Sequence, residues 1–203
     1  DASSALYEGP FAVGKTVTIR AIALRDDWFD SAVAELQVVR GPWTFGEYLE
    51  MPEQTFSTSG DAEWVRAKGE GEDGEGSYVL RSGAIGDSQE SVLSMKIQGA
   101  GTVTFKYCVS SQAKKGVISD GLAVCLDGST DKVFKDGGDT GWKEAEVSGV
   151  GAGEHTVAWV YWKNASGFDG ADCAWLDSLI WTPGAVGPSP IDAWDSAVAL
   201  SQA

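Results

Sequence analysis

The chain has a single histidine, three cysteines and no apolar run long enough to span a membrane. Each shortage excludes something. One histidine with no cysteine or second histidine at ligand spacing argues against a zinc site. Without a long apolar run, membrane insertion is not expected. Basic residues are also scarce, 15 against 30 acidic ones, for a formal charge of -15. That balance repels phosphate backbones and anionic lipid surfaces, so nucleic acid is excluded as a partner. No helix-length apolar stripe occurs between residues 59 and 182.

What the chain has instead is glycine, 26 residues, and tryptophan, 9 residues. Glycine serves the positive-φ turns between many short strands, and tryptophan fills a wide core or builds a ligand platform. Strand patterns fall at 63–67, 77–81, 90–97, 101–110, 121–127, 142–147, 154–162 and 174–181, separated by turns rich in Gly and Asp. In 101–110, Val103, Phe105, Tyr107 and Val109 alternate with Thr102, Thr104, Lys106 and Cys108. In 157–162 (VAWVYW) both faces are apolar, as in a central strand covered on both sides or one carrying a ligand. These patterns predict an all-β, antiparallel two-sheet sandwich of the jelly-roll kind over 41–183. A single helical turn is predicted at 45–50, ahead of Pro52.

Residues 1–40 carry two further strand patterns, 15–24 and 32–39, too few to close a core. Beyond Gly184 the composition is that of a linker. Ser189–Pro190 there suits the start of a short helix bearing Ile191, Trp194 and Val198 on one side.

Two resemblances sharpen this reading. DASSALYEGPF, TVTIRAIA and DSAVAELQV resemble the second half of the chitobiase/β-hexosaminidase C-terminal type of module, which implies a partial immunoglobulin-like sandwich in 1–40. GDAEW, LRSGAIGDSQESVL, GTVTFKYCVSS, LAVCLDG, TGWKEAEV, GAGEHTVAWVYWKNAS and DCAWLDSLIWTP, in that order, resemble a bacterial extracellular jelly-roll module related to the MAM and concanavalin-like sandwiches. That resemblance implies an extracellular or cell-surface location. It fits a fragment of a longer secreted protein that serves adhesion or carbohydrate binding, and a monomer is expected. A glycan or an extracellular surface protein is the expected partner. The alternatives are an accessory region of a secreted glycoside hydrolase or protease, or a spacer with no ligand.

The resemblance also implies a structural Ca²⁺ site built from Asp61, Asp172 and Asp177, because the terminal strands of such sandwiches pair. The competing reading has Asp61 and Asp172 capping turns and Asp177 taking backbone hydrogen bonds. No catalytic residues are assigned. His155 stands at a strand start without a nucleophile in any recognisable elbow, and abundant carboxylates are not evidence of a glycosidase pair. GVGAG at 149–153 leads into a strand and reads as a turn, and GEGEDGEG at 69–76 as a solvated loop. Asn164–Ala165–Ser166 is a formal glycosylation acceptor that a bacterial module leaves unmodified. Cys108, Cys125 and Cys173 lie in strand patterns and read as three buried free thiols, with one interstrand disulfide as the alternative. Of the aromatic residues, Trp142 and Trp162, the latter with Lys163, are the expected exposed ligand contacts.

Overall fold

A computed structural model describes residues 5–184 except 12, 14, 15, 39–42, 69, 72–77, 115 and 116. The chain divides into two compact units at Pro42 and Trp43. In the first, strands β1 (Val17–Ala21) and β2 (Ala34–Val38) pair as an antiparallel hairpin. Every residue of the two strands is exposed or half-buried, as expected of a two-stranded sheet.

The second unit opens with one helical turn, α1 (Phe45–Tyr48). A capping box sets it: the Glu47 backbone N–H donates to Thr44 Oγ1 (3.2 Å), and the Thr44 N–H donates to Glu47 Oε2 (2.7 Å). Among the described residues twelve strands follow. They are β3 (Phe56–Gly60), β4 (Val65–Lys68), β5 (Tyr78–Arg81), β6 (Glu90–Gln98), β7 (Gly101–Ser110) and β8 (Ala113–Lys114). The remainder are β9 (Val117–Ile118), β10 (Gly121–Leu126), β11 (Lys132–Asp136), β12 (Lys143–Val150), β13 (Glu154–Trp162) and β14 (Cys173–Pro183). GVGAG joins β12 to β13 as the expected turn. The helix expected after Ser189 lies outside the described residues, as does most of the glycine-rich loop at 69–76.

Two five-stranded antiparallel sheets form, in the orders β11-β10-β13-β6-β3 and β12-β7-β14-β5-β4. Removing β3 and β4 leaves β11-β10-β13-β6 against β12-β7-β14-β5. From β5 onward every connection but two crosses between these sheets, β10 to β11 and the β8–β9 hairpin excepted. That is jelly-roll connectivity. The expected all-β sandwich is therefore present. Among the described residues no helix is long and apolar enough to cross a membrane.

Period-two alternation decides what faces inward. Leu93, Met95 and Ile97 of β6, Val103, Phe105, Tyr107 and Val109 of β7, and Val157, Trp159 and Tyr161 of β13 form the core. Leu179 would break the pattern. A bulge between Asp177 and Ile180 restores it, with Ser178 at φ +45° and its N–H donated to Asp177 Oδ1 at 2.8 Å.

Candidate ligand-binding face of the first sheet

Across β11-β10-β13-β6-β3 the residues between the core positions project outward. The register places Lys135, Ala123, Val160, Val92 and Ser59 in one row and Lys132, Cys125, Ala158, Ser94 and Ser57 in the next. Most of these are small, so the face is a low strip about 19 Å wide from strand spacing alone. One rim carries Trp162 between Gly121 and Glu90. The other carries Lys96, ion-paired to Glu154 at 2.8 Å.

Trp162 is half-buried on this outer face, while its neighbours Trp159 and Tyr161 are fully buried inside. Its indole lies over Gly121, where a Cβ would come within 3.1 Å of the ring and 2.3 Å of the Asp136 carbonyl. No side chain fits there, which is why the position is glycine. Lys132 extends along the strip and sets Nζ 3.5 Å from the Trp162 ring centroid. Although Lys132 is exposed as a residue, partial burial of its ammonium pulls its pKa below the usual lysine range; the Lys135 charge adds to this.

The other sequence-derived candidates fall elsewhere. Trp142 precedes β12 on the loop between the sheets, half-buried and off the strip. Lys163 is not the exposed contact expected beside Trp162. It is 7% exposed, and its ammonium pairs with Asp172. Alternation explains this: Trp162 points out, so Lys163 points in beside Tyr161, whose hydroxyl also donates to Asp172 (3.0 Å). Burial and the Asp172 carboxylate raise the Tyr161 phenol well above its ordinary range. The same end of the sandwich buries Asp120, whose Oδ1 accepts from the Asn164 N–H while Oδ2 has no hydrogen-bond partner among the described residues.

The three carboxylates expected to hold Ca²⁺ do not come together; among the described residues no three His, Cys, Asp or Glu side chains could hold a metal ion. Each serves the backbone or a neighbour instead. Asp61 Oδ2 accepts from the Glu90 N–H at 2.9 Å, Asp172 holds Lys163 and Tyr161, and Asp177 braces the β14 bulge. Asp177→Ala is expected to lower unfolding free energy by about 1 kcal/mol, equally with calcium or chelator. A loss appearing only in the presence of calcium would restore the metal reading.

Both ring nitrogens of His155 are occupied, Nδ1 by Asp127 Oδ2 at 2.8 Å and Nε2 by the Ala152 carbonyl at 3.3 Å. That is a brace at the turn before β13 rather than a free general base. The Asp127 hydrogen bond raises His155 above 6.5, and the same bond lowers Asp127 below 3.8. The histidine's contribution is full below 6.5 and fades as pH rises through its folded value; the aspartate's is full above 3.8 and fades as pH falls through its own. The pair therefore stabilises most between those limits. An NMR titration is expected to place His155 above 6.5 and to move it back toward that value in Asp127→Asn; an unmoved midpoint would contradict the pairing.

The three cysteines are free. All lie on outward positions rather than between the sheets; Cys125 and Cys173 are buried as expected, Cys108 is only half-buried, and burial pushes Cys173 up to about 12. Such thiols are poor nucleophiles.

Sequence reasoning missed Lys132 and Lys135, because no strand was expected at 132–136. The pattern Lys-Val-Phe-Lys, with Phe134 against the core, was the available signal.

No family model matches the chain, and no curated protein matches it. Solved structures do. The secreted serine protease VesC of Vibrio cholerae aligns at 18% identity and TM-score 0.50, over 77% of this chain and 31% of its own. TmCBM61, solved with β-1,4-galactotriose, aligns at 14% and 0.44 over 70% and 95%. The K1 cleaved adhesin domain of Lys-gingipain from Porphyromonas gingivalis W83 aligns at 17% and 0.45 over 64% and 91%. The present chain spans less than a third of the protease chain. At 18% identity the likeness to the protease is one of fold alone.

Proposed function

We propose that the second unit is a non-catalytic glycan-binding module of an extracellular bacterial protein, and that it binds through the outer face of β11-β10-β13-β6-β3. One observation carries the reading: a half-buried Trp162, flanked by Lys132 and Glu90, stands at the rim of a strip of small side chains. The indole offers an apolar plate to the C–H face of a pyranose. The small residues let a sugar approach the sheet, and the lysines and Glu90 supply hydrogen bonds to hydroxyls. The resemblance to MAM and concanavalin-like modules and the acidic surface support an extracellular setting.

An accessory region of a larger secreted hydrolase or protease is the second reading, favoured by the alignment with part of a secreted protease. A binding module attached to such an enzyme would satisfy both. The test is a glycan array probed with the wild-type chain and with Trp162→Ala, the fold of each checked by circular dichroism. Binding is expected for the wild type and should fall at least about tenfold, or ~1.4 kcal/mol, in the variant. Equal binding by both, or none by the wild type, would overturn the reading.

A further inference from the structure

The face that holds Trp162 also carries two lysines without a salt bridge among the described residues, in a chain whose formal charge is -15. Lys132 and Lys135 project from β11 to that face, opposite Cys125 and Ala123. Other lysines of the sandwich have carboxylate partners: Lys96 pairs with Glu154, Lys143 with Asp136 and Lys163 with Asp172. Lys132 and Lys135 make no ion pair among the described residues. The Glu90 carboxylate acts on Lys132, and Glu90 and Asp131 both act on the Cys125 thiol opposite it; among the described residues neither forms a salt bridge with the two lysines. Two ammonium groups held near each other, one of them partly desolvated, repel unless an anion joins them.

We propose that the strip binds an acidic glycan, its anionic substituent seated by Lys132 and Lys135 while the sugar ring packs against Trp162. This rests on the glycan-binding reading above and names the substrate class for that site. In the free protein the cation–π contact holds the Lys132 ammonium on the indole. An incoming carboxylate or sulfate draws that ammonium outward and frees the ring for the sugar. Charge-assisted hydrogen bonds to both lysines then fix the orientation.

The test is calorimetric titration with tetragalacturonate, its full methyl ester and a sulfated galactan tetrasaccharide. Each is measured at low salt and at about 0.15 M. An acidic sugar is expected to bind at least about tenfold tighter than the neutral ester, with the advantage shrinking at the higher salt. In the Lys132→Met/Lys135→Met double variant, which keeps the apolar stems, that advantage should collapse. Tighter binding of the galacturonate assigns the anion to a uronate, and of the galactan to a sulfate; either supports the proposal. Equal binding of acid and ester would overturn it while leaving glycan binding intact. Failure of all three sugars, together with a blank glycan array, would remove both.

Discussion

Replacing Lys163 by alanine is expected to destabilise the second unit by about 3 kcal/mol. The lysine side chain is 5% exposed and pairs with Asp172, which is itself held in the left-handed region at φ +54°. Removing the ammonium leaves a partly buried carboxylate with only the Tyr161 hydroxyl as a side-chain partner among the described residues. The uncompensated charge, more than the lost contact, sets the size of the effect. Lys163→Met combined with Asp172→Asn should recover part of the loss, because no unpaired charge then remains. Urea unfolding of the three proteins measures this. A cost below about 1 kcal/mol for Lys163→Ala would mean that the pair is solvated like a surface bridge.

Trp159→Ala is expected to cost about 3–5 kcal/mol. Trp159 is fully buried at the centre of β13 and meets Phe105 of the opposite sheet edge-on, with centroids 5.7 Å apart and planes at 87°. Its removal takes away the ring that ties the two layers together. Among the described residues the indole Nε1 has no hydrogen-bond partner, so Trp159→Phe forfeits volume but also relieves an unpaired buried donor. The phenylalanine variant should therefore lose distinctly less than the alanine one. Equal losses would show that a phenyl ring does not replace the indole between the two layers, and would contradict this account of the site.

The central strands were legible from sequence because each buries a full alternating face. Val103, Phe105, Tyr107 and Val109 announce β7, and Val157, Trp159 and Tyr161 announce β13. The edge strands β3 and β11 bury one or two side chains each and leave little to read. In β3 the inward pair is Phe56 and Thr58, and in β11 a bulge leaves Phe134 as the residue packed on the core. The same difference governs the site. Trp162 stood out within a strand apolar on both faces, whereas Lys132 and Lys135 belong to the edge strand that went unrecognised. Lys163 was misplaced against the alternation that its own neighbours display. Asp61, Asp172 and Asp177 were plausible ligands only through convergence of distant segments, and local hydrogen bonds to Glu90, Tyr161 and Ser178 occupy them instead.

The most direct measurement is a ¹⁵N-correlated NMR titration with the oligosaccharide that binds best on the array. Shifts are expected at the Trp162 indole N–H and along the backbone of Ala123, Ala158, Val160 and Ser94, reaching Lys132. Shifts confined to the loops around Trp142 and Phe168, or to the opposite sheet around Trp175, with the Trp162 indole unmoved, would contradict the assignment of the ligand to this face.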